Sequence, residues 1–256
     1  MCKFSESVKD KLGNALIYMA DRVDDLSKTK ALKLLYLMEE RMVLKYHMPF
    51  LAIPYEVWQA GPVAKDVFVD LSDGPYLLKD YVKTELRHNG TYILSIKPFS
   101  DDEFSDCEIA MMDDILKKYG KMTAADLVDE THKKGTLWYQ EASQNNLLEA
   151  FNNHECNNSD IKIDFTKAMA PCAAEFYKES LDFHQTANLL SMDMLKNKHN
   201  HHRPHGGKSD EELAAALSTT STDWDEVEHA DLSQIDYSKY KPYQSAKTQK
   251  IIEKWL

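Results

Sequence analysis

A chain of 256 residues exceeds the ~100–200 residues of one typical domain, so it holds one good-sized domain with an extension, or two small ones. A formal net charge of -11 and a pI near 5.4 disfavour a protein whose main task is holding nucleic acid, because phosphate neutralisation supplies most of that affinity. A hydrophobic fraction of 43% is enough for a core, while a mean hydropathy of -0.53 leaves much of the chain in water.

Residues 6–26 carry Val8, Leu12, Ala15, Leu16, Met19 and Val23 at steps of three and four, one face of a helix. Ser27 caps a second helix to about His47, with an apolar stripe of Ala31, Leu34, Leu35, Met38, Met42 and Tyr46. Lys30, Lys33, Glu40 and Arg41 are expected on its outer side. The aromatic and β-branched run FLAIPYEVWQA, residues 50–60, suits an irregular edge segment. Gly61-Pro62 reads as a turn opening a short helix with Val63, Val67, Phe68 and Leu71, ended by Ser72-Asp73-Gly74-Pro75. Residues 81–97 read as a hairpin about Asn89-Gly90.

Ser105 to Glu108 has the capping-box form, and Thr123 to Asp126 repeats it with aspartate. Helices follow to Gly120 and Gly135, and Trp138 is placed to close a helical core. After a polar connection at 152–160, residues 165–190 read as helical; Pro171 either starts this helix or kinks it. From about 196 the chain turns basic and histidine-rich, then acidic, with nine Asp and Glu and no Lys or Arg over 209–236, then basic and aromatic. Such blocks suit a flexible tail or one that orders on a partner.

The fold class is therefore mainly α: a compact helical domain at 1–150 with one small β-hairpin, a helical extension at 151–195 and a charge-blocked tail at 196–256. The start MCKFSESVKDK is polar, and no run of ~18 apolar residues exists, so a cytoplasmic protein without membrane span is expected. Cys2, Cys107, Cys156 and Cys172 form no C-x-x-C pair, which points to reduced thiols, not a zinc site or disulfide framework.

The segments KALKLLYLMEERMVLKYHMPF, YEVWQAGPVAKDVFVDL, ILKKYGKMTAADLVDETH and LWYQEA are similar, in order and spacing, to the Panacea domain of SocA-like antitoxins. The likeness covers about residues 5–150. Its most specific pieces are the junction from Tyr55 to Val63 and the capped helix with Asp129, Glu130 and His132 followed by Trp138. The resemblance implies a bacterial or phage protein that neutralises a toxin encoded beside it by direct contact. It also implies a second mode, an adaptor delivering a toxin to a protease.

Tyr55, Trp58, Gly61 and Pro62 make one candidate partner surface; for Trp58 the favoured alternative is a core role between the second helix and the hairpin. Trp224, Ile251, Ile252 and Trp255 are candidate anchors in the tail. Asp129 and His132 stand at i, i+3, but no second ligand set accompanies them, so helix-end electrostatics is the better reading. His199, His201, His202 and His205 suit a solvated linker better than a rigid metal site, and no cofactor is expected. The helix–helix–helix–hairpin order of 28–97 has a winged-helix look, but Asp66 and Asp70 beside Lys65 make a poor face for phosphate, so a DNA-binding transcriptional regulator is the less favoured alternative. The sequence holds no G-x-S-x-G, P-loop, G-x-G-x-x-G or H-E-x-x-H motif, so a binding protein is expected, not an enzyme.

Overall fold

The structure is a computed structural model and describes residues 4–72, 74–88 and 90–200, with side chains up to 187. Helix α1 (Glu6–Ala20) starts at Ser5, whose hydroxyl accepts from the Val8 N–H and satisfies one of the unpaired donors of the first turn. Helix α2 (Lys28–Tyr46) starts in the same way at Ser27 and stops where His47 turns left-handed at φ 56. Every residue from Lys30 to Glu39 is buried, so this stretch of α2 is the centre of the fold, enclosed on all sides. The expectation that Lys30 and Lys33 face outward is therefore corrected, although Arg41 is exposed as expected.

Strands β1 (Glu56–Trp58) and β2 (Gly61–Val63) pair antiparallel, Trp58 opposite Gly61, across a two-residue turn of Gln59 and Ala60. The segment expected to be irregular is thus half of a second hairpin, and Gly61-Pro62 is strand, not helix start. An edge strand tolerates proline because its missing N–H can face away from the ladder. The other edge of β1 is covered by a later segment: Val57 and Gln59 donate their N–H groups to the carbonyls of Ile161 and Asn157, and Ile163 donates to that of Tyr55.

Helix α3 (Lys65–Asp70) ends in a buried carboxylate that accepts from the N–H groups of Tyr76, Leu77 and Leu78 at 3.0, 2.8 and 3.2 Å. Asp70 thereby pins the loop leading into β3 (Val82–Arg87), which pairs with β4 (Gly90–Ser95) as the expected hairpin. Both predicted capping boxes are present, at Ser105 for α4 (Asp106–Tyr119) and at Thr123 for α5 (Ala124–His132). Helices α6 (Leu137–Gln144) and α7 (Leu147–Asn152) follow, then a 3-10 turn at Phe165–Ala168. Helix α8 (Pro171–Asn200) begins at its proline, so no kink is needed there.

The described residues thus hold eight α-helices and two small antiparallel hairpins, a mainly α fold. One core runs from Leu12 and Leu16 of α1 through α2 to Ile163, Phe165 and Tyr177. Among the described residues no helix is long and apolar enough to cross a membrane.

Candidate functional site

The two sequence pieces that carry the family likeness meet at the β1–β2 turn. Three backbone carbonyls of this turn are met from outside the hairpin, and a buried carbonyl left without any partner costs about 1–3 kcal/mol. Each is met by a side chain from a different helix. Lys33 of α2 donates from Nζ to the Pro62 carbonyl at 2.8 Å. His132 of α5 places Nε2 at 2.9 Å from the Gln59 carbonyl, and Trp138 of α6 donates from Nε1 to the Trp58 carbonyl at 3.0 Å. The His132 and Trp138 rings lie against each other with centroids 3.7 Å apart. Gly61 sits in the middle at φ 97; a Cβ there would lie 2.8 Å from Thr131 Oγ1 and 2.9 Å from Lys33 Nζ.

A second polar cluster lies further along α2. Glu39 is buried and accepts from the N–H groups of Phe50 and Leu51 at 3.0 and 2.8 Å, fixing the chain just after α2. Nearby, Tyr36, Tyr55, Phe165 and Tyr177 form an aromatic group with centroid separations of 5.5–6.4 Å. Tyr36 donates to Glu40 at 2.7 Å, whereas the buried Tyr55 hydroxyl has no hydrogen-bond partner among the described residues. Burial raises the pKa of both tyrosines well above the usual phenol value and also raises that of Glu40.

Burial acts in opposite directions on the two enclosed charges. It lowers the Lys33 amine to about 7 and raises the Glu39 carboxyl to about 7 against the pull of its N–H donors. As pH falls from the ordinary lysine range toward 7, the unfolded chain takes up a proton that folded Lys33 refuses, so stability declines. As pH rises from the ordinary carboxylate range toward 7, unfolded Glu39 releases a proton that the folded group keeps, so stability declines again. These two groups together are expected to give a stability minimum near neutrality. Urea unfolding from pH 5 to 9 checks it: Lys33→Met should flatten the alkaline arm and Glu39→Gln the acid arm. Unchanged arms would mean that water reaches both groups.

The expected site residues fall into different places. Tyr55 is 1% exposed, and Gly61 and Pro62 are buried. Trp58 is half-buried; it packs edge-on against Phe68 of α3 at 5.0 Å and donates to Glu56 at 3.0 Å. Both ring nitrogens of His132 face carbonyl oxygens, which leaves none for a metal. Among the described residues no three His, Cys, Asp or Glu side chains are grouped to hold one. Trp224, Ile251, Ile252, Trp255, His201, His202 and His205 lie outside the described residues, as does the side chain of His199. Sequence reasoning missed Lys33 and Glu39, although a lysine and a glutamate within an apolar helix are a visible signal.

A mainly helical domain whose signature side chains lock a small hairpin is the class that the fold defines. Residues 32–139 match the family model described as antitoxin SocA-like, Panacea domain. No curated protein and no solved structure matches the chain.

Proposed function

We propose that this protein is the antitoxin of a toxin–antitoxin pair and neutralises its toxin in the cytoplasm by direct protein contact. The Panacea match over residues 32–139 is the observation that carries the reading. The hydrogen bonds support it: Lys33, His132 and Trp138 engage backbone carbonyls, so the motif residues serve the fold and recognition falls to the surface. The domain is then a scaffold, with Trp58 as an aromatic contact on it. The segment beyond residue 200, with its acidic block and the anchors Trp224, Ile251, Ile252 and Trp255, supplies partner choice by ordering on contact.

Co-expression with the protein encoded by each adjacent gene tests this. One neighbour should be toxic alone, harmless beside this chain, and co-purify with it. A chain ending at residue 200 should bind that toxin about tenfold or more weakly, the loss expected when the segment's contacts exceed its ordering cost by about 1.4 kcal/mol or more. Full neutralisation by the shortened chain would remove the tail from the mechanism, and the absence of any toxic neighbour would remove the antitoxin reading itself.

A further inference from the structure

The C-terminal half of α2 and the end of α4 enclose an open groove of about 380 Å³. Its floor is apolar: Leu37 and Ile115 are buried, while Leu44 remains 40% exposed at its mouth. Its rim is basic. Arg41 and Lys45 line it from α2 and Lys118 from α4, and none of the three forms an ion pair with a carboxylate among the described residues. The one acid in the lining, Glu40, accepts the Tyr36 hydroxyl. On a chain of net charge -11, this apolar floor rimmed by three cations and one acid is a local reversal of sign.

We propose that this groove docks an acidic amphipathic helix of the partner protein. Apolar side chains at i and i+3 or i+4 of that helix would seat on Leu37, Leu44 and Ile115, as helix-in-groove recognition requires. Its flanking carboxylates would meet Arg41, Lys45 and Lys118. The general negative charge of the chain repels an acidic partner elsewhere and so favours approach through this rim. The partner's being a toxin rests on the antitoxin reading above; the docking chemistry rests on the groove.

The test measures association and dissociation of the full chain with the neighbour-encoded toxin found by co-expression, at low and high salt. Leu44→Asp should weaken binding by about tenfold or more, mostly through faster dissociation. The triple variant R41E/K45E/K118E should slow association by about tenfold at low salt and flatten its salt dependence. The control Lys83→Glu on β3 should bind like wild type, and all variants should melt with it. Equal binding by all variants overturns the groove while leaving the antitoxin reading intact. A wild-type chain that binds no neighbour overturns both, and that arm is read before any variant. If D223N/D225N/E226Q/E228Q in the full chain tightens binding, the groove is occupied by the chain's own acidic segment and the proposal is overturned. If wild type is a dimer that Leu44→Asp dissolves, the occupant is a second copy, which overturns it too.

Discussion

Trp138→Ala is expected to lower the unfolding free energy by about 3–5 kcal/mol, the usual loss for removing a buried large aromatic. Trp138 is 3% exposed and fills the space between His132 and Phe151. Its loss would also leave the Trp58 carbonyl without its donor. Trp138→Phe separates the contributions, keeping most of the packing and removing only the indole N–H, for about 1–3 kcal/mol. Denaturant unfolding of the three proteins measures both steps. If alanine cost under about 1 kcal/mol, α6 would not be holding the hairpin, since surface substitutions alone reach that range. Domains are stable by only about 5–15 kcal/mol, so the alanine variant should also accumulate poorly in cells.

Gly61→Ala should cost about 2–5 kcal/mol, through two effects that a control can part. Alanine at positive φ is disfavoured by about 1–2 kcal/mol, and crowding a filled interior adds about 1–3 kcal/mol. The added methyl would meet Thr131 Oγ1 and Lys33 Nζ below 3 Å. Lys33 cannot swing aside without abandoning the Pro62 carbonyl. Gly74 has a similar φ of 94 but open space around it, so Gly74→Ala should show the backbone cost alone, about 1–2 kcal/mol. Adding Thr131→Ala to Gly61→Ala should recover part of the loss, since neighbours in contact are not additive. Equal costs at Gly61 and Gly74 would show that the hairpin shifts to admit the methyl.

Local rules in the sequence reached the structure where the governing interactions are themselves local. Ser105 and Thr123 announce α4 and α5 because each reaches an N–H three residues on. Gly90 closes the larger hairpin in the same short-range way. The β1–β2 hairpin was not legible, because its strands are three residues long and its Gln59-Ala60 turn lacks the Asn-Gly type of signal. Lys33 was misplaced for another reason. An amphipathic reading grants a helix one buried face, and α2 is covered on every side from Lys30 to Glu39. The signature pieces around Tyr55–Val63 and Trp138 were visible separately. Their meeting was not, because a hydrogen bond from Trp138 to Trp58 spans 80 positions.

The backbone that lines the outer edge of β1 bears on how this protein can be cut and recombined. The ladder bonds to Asn157, Ile161 and Ile163 come from beyond the matched residues 32–139, and so do the side chains of Phe165 and Tyr177 in the core. A fragment excised at the match boundaries would present the open rim of β1 as a template for another strand, the usual route to aggregation. Chimaeras that move this domain to a new tail should therefore join after Tyr177, carrying α1 at the front and the segment that lines β1 at the back.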